Sequence, residues 1–311
     1  MALARIAIIA AACFALPAHA VRPGEVSTTA EAVCGYRALA AQHPDPKLRN
    51  PDDFAAKLCR WQSPLPRDYA GARPIIDQSE TYATFFYVNA RTHYIDAALR
   101  KAAADGATQV VVLGAGFDSR AYRFRASHPQ LRFFEVDLPA TIEVKKKRIE
   151  QALGGLPDYV RYAPIDFNTQ TLQGVLFPLG YDPKQKTFFL LEGVVMYVVE
   201  PGNVATFDFI RANSASGSVV VYDYVLKRVI QGDTKGLYAA AYLAYTVERL
   251  GEPFVSGWTR AEAAAWAKKR GLQVVEDLDH AALGRRHLTG TNGKLDGRLF
   301  DWQRIIEARV P

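Results

Sequence analysis

The sequence carries three cysteines in 311 residues. The two beyond residue 20, Cys34 and Cys59, form no CxxC pair and lack the Cys/His spacing of a zinc site, so no resident metal is expected. No GxSxG elbow, HExxH helix or Walker loop occurs, which argues against serine-hydrolase, zincin and P-loop chemistry. There is no internal repeat and no low-complexity tract. A net charge of +6 raises the question of an anionic partner. The basic residues are scattered, though, and the one dense run, Lys145 to Arg148, is short and reads as a solvated helix face. No nucleic-acid module accompanies it, so no nucleic-acid partner is expected.

What is present is the balance of a folded protein, 49% hydrophobic and 23% charged residues. That length and composition fit one α/β domain with a helical extension. The N-terminus differs from the rest. Arg5, the apolar run Ile6–Leu16, Pro17 and Ala18-His19-Ala20 follow the order of a secretory signal. The run is too short to cross a bilayer as a mature helix. Residues 1–20 are therefore expected to be an export signal, with no stable membrane span after its removal; a cytoplasmic chain is the alternative. In an exported chain Cys34 and Cys59 can pair, and two reduced core thiols are the other reading.

From Thr28 to Arg100 apolar residues recur at helical spacing between prolines, which predicts short helices forming a cap segment over residues 21–105. Beyond Thr108 the rhythm changes. Gln109–Leu113, Leu131–Val136, Tyr159–Ile165, Thr187–Leu191 and Ser218–Tyr222 read as buried strands. Ser119–Ala126, Pro139–Leu153, Thr169–Leu179 and Pro201–Asn213 read as the helices between them. This alternation predicts a doubly wound, mostly parallel sheet over residues 106–311. Residues 227–253 read as a helical insertion, Thr259–Arg270 as a helix ended by Gly271, and Leu272–Glu276 and Trp302–Val310 as the last two strands.

The residues with chemical promise fall at strand ends. Val110 to Leu113 run into Gly114-Ala115-Gly116-Phe117-Asp118, a small-residue turn that lets a ligand approach the backbone. The same pattern also serves as a plain tight turn. Ser119 stands where a dinucleotide fingerprint wants a third glycine or alanine, which lowers a nicotinamide reading. About twenty residues on, Asp137 ends the next strand, where a carboxylate can accept from both hydroxyls of a ribose; capping the following helix is its other role. Asp166 and Phe167 can offer an acceptor and an aromatic wall to adenine. Glu192 directly follows an apolar run and needs a partner, and a structural ion pair is its alternative reading.

Together, QVVVLGAGFDSRAYR (residues 109–123), FEVDLP (134–139), LLEGVVMY (190–197) and the ending Leu295–Val310 resemble the leucine carboxyl methyltransferase family, in its bacterial and mycobacterial branch of S-adenosylmethionine-dependent methyltransferases. The resemblance runs from about Thr28 to Val310. It implies a seven-stranded class I, Rossmann-like methyltransferase fold with a helical N-terminal cap, and S-adenosyl-L-methionine as cofactor. It further implies that Arg91 holds the methionine carboxylate, Gly114 and Gly116 form the cofactor loop, Asp137 binds ribose, Asp166 and Phe167 contact adenine, and Glu192 takes the amino group. Arg91 and Glu192 are then expected to clamp opposite ends of the methionine zwitterion. His93 stands where a more strongly basic residue is expected.

The methyl acceptor is unnamed by the sequence, with a carboxylate or hydroxyl oxygen as the expected target. A carboxylate would need no general base, and Tyr197 is the single weak catalytic candidate, with core packing as its other role. A nicotinamide oxidoreductase and an exported, non-catalytic binding protein on the same scaffold are the rival readings.

Overall fold

The apolar runs do become a sheet covered on both faces, and the chain before them lies against it. The computed structural model describes residues 26–61, 63–166 and 169–311. The expected export segment, Met1–Ala20, and Phe167 lie outside the described residues. Helices α1 (Thr28–Ala40), α2 (Ala55–Leu58), α3 (Tyr69–Asp77) and α4 (Ala83–Ala104) come first. The alternating part follows as β1 (Gln109–Leu113), α5 (Arg120–Arg123), β2 (Arg132–Asp137), α6 (Pro139–Leu153) and β3 (Val160–Pro164). It continues with α7 (Leu172–Leu176), β4 (Thr187–Leu191), α8 (Glu200–Ala212) and β5 (Val219–Val225). The remainder is α9 (Lys227–Ile230), α10 (Ala240–Arg249), α11 (Arg260–Lys269), β6 (Gln273–Leu278), α12 (His280–His287) and β7 (Gln303–Arg309).

Among the described residues seven strands form one sheet in the order β3-β2-β1-β4-β5-β7-β6. Strands β1 to β5 are parallel, and β7 runs antiparallel between β5 and β6. The order reverses between β1 and β4, and the crevice beyond their carboxyl ends is where open α/β sheets bind ligands. Every residue of β1, β4 and β5 is buried, as a central strand covered on both faces requires. One face packs Val110, Phe188 and Val221 against Cys34, Phe85 and Leu99 of the cap, in a single apolar cluster. The other packs Val111, Phe134 and Phe189 with Phe207 and Trp266.

Local chemistry sets the helix ends. Pro139 opens α6, where its missing N–H costs nothing, and Gly154 closes it with φ 78°. Thr259 and Glu262 form a reciprocal capping box on α11. Two helices are shorter than their sequence pattern. Helix α5 stops at Arg123, and a turn in which His128 N–H donates to Phe124 O replaces its continuation. Helix α7 ends at Leu176 in a 3₁₀ turn, Phe177–Leu179, because Pro178 has no N–H to give the helix. Helix α12, too short and polar to show apolar periodicity, was not foreseen. Among the described residues no helix is long and apolar enough to cross a membrane.

Candidate cofactor and active site

Beyond Leu113 the chain turns through Gly114 and Gly116 at φ 65° and 42°. Both lie in the left-handed region that favours glycine. A Cβ on Gly114 would also meet Val194 Cγ2 at 2.5 Å, so backbone conformation and space both demand glycine there. Ala115 N–H donates to Val136 O at 3.0 Å, which ties the loop to β2. Beneath it Lys145 Nζ lies 3.4 Å from Ala115 O and 2.9 Å from Glu135, in a fully buried pair. Burial pushes Glu135 up to about 7 despite the ammonium beside it.

Asp137 sits where β2 ends. Its Oδ2 accepts from Gly116 N–H and its Oδ1 from Leu138 N–H, both at 2.6 Å. Burial raises its pKa, opposed by those two backbone donors and by Lys145. A carboxylate has about four acceptor sites, so this one keeps capacity for two ribose hydroxyls, and it lines the central cavity. The N-cap of α6 is Leu138, which has no side-chain cap, and Asp137 meets the start of that helix through the Leu138 N–H. Asp166 lines the same cavity, its N–H donating to Gln170 Oε1.

Arg91 and Glu192 are brought together rather than held apart. Arg91 Nε donates to Glu192 Oε1 at 3.0 Å, and Nη1 to Asp223 Oδ2 at 2.6 Å. Arg120 Nη1 reaches Glu192 Oε2 at 2.7 Å and also pairs with Asp118, while its Nε binds Asp96 at 2.7 Å. Arg37 binds Asp52 and the Phe117 carbonyl at 2.7 Å each, and Arg123 binds Asp96. Four buried guanidiniums (Arg37, Arg91, Arg120, Arg123), with the more exposed Arg100 at 4.0 Å from Asp96, thus meet five carboxylates (Asp52, Asp96, Asp118, Glu192, Asp223), and the formal charges balance. Burial alone would raise Glu192, but Arg120, Arg91 and Arg37 overcome it and hold the carboxyl at about 2. Among the described residues Arg91 Nη2 has no protein partner, and the side chain lines the cavity.

That cavity measures about 720 Å³. Its polar half is formed by the glycine loop, Asp137, Asp166, Glu192 and Arg91. Its other half is formed by α1, the turn after β4, α10 and the loop after it, with Tyr36, Met196, Leu243, Val247 and Phe254 as walls. Tyr197 stands there, its ring 5.4 Å from that of Phe254. Burial, and then the charge of Glu252, raises its pKa, so it keeps its proton at neutral pH. Glu252 is itself 4% exposed. It accepts from Ser27 Oγ at 3.1 Å, Thr28 N–H at 3.0 Å and Thr29 Oγ1, and so ties the end of the insertion to the start of α1.

The expected site residues do not include Arg37, Arg120, Asp223 or Glu252, and Asp118 stands among them only as the end of the glycine loop. Asp118 and Arg120 fall inside the quoted glycine-loop motif, and Asp223 is an acid within the apolar run of β5, so a signal existed for those three. Nothing local marks Arg37 or Glu252. Cys34 and Cys59 lie against each other with both thiols free. Among the described residues no group of side chains is arranged to hold a metal ion.

A glycine loop at the switch point, a carboxylate at the tip of the next strand and the reversed β7 are the marks of a class I S-adenosylmethionine-dependent methyltransferase. The comparisons make the family specific. Residues 30–211 match the model of the leucine carboxyl methyltransferase family, and the chain belongs to that family. A Mycolicibacterium smegmatis protein, named provisionally as an S-adenosyl-L-methionine-dependent methyltransferase, is 30% identical over 84% of this chain and 86% of its own length. A Bacillus subtilis protein with a name of the same kind is 31% identical over 61% of this chain and 62% of its own length. Among solved structures, a DUF574-family protein from Streptomyces avermitilis covers 88% of this chain and 100% of its own, with TM-score 0.56 and 16% identity. That likeness speaks for the fold alone.

Proposed function

We propose that the protein transfers the methyl group of S-adenosylmethionine to an oxygen, of a carboxylate or a hydroxyl, on an acceptor bound in the apolar half of the cavity. The observation that carries the reading is Asp137, fastened to Gly116 of the loop and facing the cavity with acceptor sites to spare. The residues present fit the cofactor. Asp137 takes the ribose hydroxyls, and Asp166 reaches the adenine edge with Phe167 as its expected neighbour. Arg91 Nη2 takes the methionine carboxylate, and the Glu192 carboxylate beside it suits the ammonium of the same ligand. The bound cofactor supplies an electrophilic methyl on sulfur. The chain's own part is to hold that end still against the acceptor and to keep water out, and most of the acceleration of an in-line transfer can come from such positioning.

Calorimetry on the purified protein with S-adenosylhomocysteine and, separately, with a reduced nicotinamide cofactor tests this. Binding of the first alone is expected. Binding of the nicotinamide cofactor alone would transfer the site to hydride chemistry, and binding of neither would leave a non-catalytic scaffold.

A further inference from the structure

The acceptor half of the cavity differs in chemistry from the polar half. Val33, Tyr36, Met196, Leu243, Val247 and Phe254 give it apolar walls. Apolar side chains continue outward to the rim, where Val199, Tyr242 and Leu250 are 47%, 44% and 43% exposed. Exposed apolar residues rimming a pocket of this size mark a ligand that is itself apolar.

Charge narrows the class further. Among the described residues the cations lining the cavity are Arg37 and Arg91. Both belong to the buried cluster beside the glycine loop and β4, where each is already paired with carboxylates. The charged residue of the acceptor half is an acid, Glu252, held by three donors from residues 27–29. An ionised carboxylate entering there would lose its hydration, meet no cation and face a like charge. A neutral hydroxyl would suffer none of these and finds in Glu252 a proton acceptor.

We propose that the acceptor is a bulky, apolar molecule that is uncharged before reaction and carries a weakly acidic hydroxyl, and that Glu252 takes its proton. The inference rests on the methyltransferase reading above and departs from the carboxyl transfer that gives the family its name. In the step, an oxygen lone pair forms the new C–O bond to the methyl carbon. The methyl–sulfur bond breaks with its electrons going to sulfur, and the hydroxyl proton passes to the Glu252 carboxylate. The products are a methyl ether, the neutral thioether and a protonated acid.

The test uses the full chain and matched probes, 2-naphthol and 2-naphthoate, titrated into protein already saturated with S-adenosylhomocysteine. 2-Naphthol is expected to bind at least about tenfold more tightly than 2-naphthoate. Thr246→Lys places an ammonium on the wall of the acceptor half from a half-buried position of α10, and should cut that preference to about threefold or less by strengthening 2-naphthoate. Equal or tighter binding of 2-naphthoate to the unmodified protein, or no binding of 2-naphthol, overturns the proposal. Failure of S-adenosylhomocysteine to bind in the first step would instead remove the cofactor reading, and the same probe titration on cofactor-free protein still judges the pocket.

Discussion

Arg91 stands at the junction of two roles, and replacing it separates them. Its guanidinium bridges Glu192 and Asp223, whose side chains are 9% and 0% exposed. Arg91→Ala would leave Asp223 with Gly193 N–H and the Tyr87 hydroxyl, and Glu192 with Arg120 alone. The balanced cluster would be left with one net negative charge. Removing one partner from a buried pair costs about 3–5 kcal/mol, so a large loss of cofactor-free stability is expected in urea unfolding. Glu192→Gln should cost less, about 1–2 kcal/mol, because Arg91 keeps Asp223 and Arg120 keeps Asp96 and Asp118. Acid titration adds an independent reading. Glu192 falls from its ordinary 4.5 to about 2 on folding, so its contribution of about 3 kcal/mol is present above pH 4.5 and lost as pH falls through 2. Arg91→Ala should move that loss to higher pH. An Arg91→Ala protein within about 1 kcal/mol of the parent, with an unchanged acid limb, would refute a structural ion pair and return Arg91 to cofactor binding alone.

Asp137→Ala is expected to weaken S-adenosylhomocysteine binding by two charge-assisted hydrogen bonds, about 1.5–3 kcal/mol each; an unchanged dissociation constant in a folded variant would remove Asp137 from the site. Gly114→Ala forces φ 65° on a residue with a Cβ and drives it into Val194, so a destabilisation of about 1–3 kcal/mol with loss of cofactor binding is expected in thermal unfolding and calorimetry; a variant as stable and tight-binding as the parent would contradict the loop geometry. For the N-terminus, the order of residues 1–20 predicts a mature chain starting at Val21 in the native host, with Cys34 and Cys59 open to oxidation. S-adenosylmethionine is a cytoplasmic cofactor, and mass spectrometry showing a Met1 or Ala2 terminus with both thiols free would sink the export reading.

The fold was legible because central parallel strands must be apolar along their whole length. Val110 to Leu113 and Phe188 to Leu191 announce themselves without reference to any partner. Asp137 was legible for a related reason: its position at a strand tip, a fixed distance beyond the glycine turn, follows from the topology. Pairing was not legible. Nothing in the spacing of Arg91, Glu192 and Asp223 says that α4, β4 and β5 bring them into contact, since that depends on how the cap lies against the sheet. Glu252 was less visible still. It lies in an irregular loop and gains its meaning from Ser27, Thr28 and Thr29, more than two hundred residues away.

The charge of the buried cluster bears on turnover as well as stability. S-adenosylmethionine carries a sulfonium cation that is lost with the methyl group, so substrate and product cofactors differ by one positive charge next to a cluster whose five guanidiniums and five carboxylates balance. A unit charge left unbalanced there, taken as about 8 Å from the sulfur at an effective dielectric of about 20, is worth about 2 kcal/mol. Glu192→Gln leaves the cluster with one net positive charge while keeping Asp137, Asp166 and the glycine loop in place, so it should lower the ratio of reactive to spent cofactor affinity by up to about thirtyfold, whereas Asp137→Ala weakens both ligands alike. Competition calorimetry with the two cofactors on each variant measures the ratio, and an equal change in both variants would show that the cluster's charge is felt only by the fold.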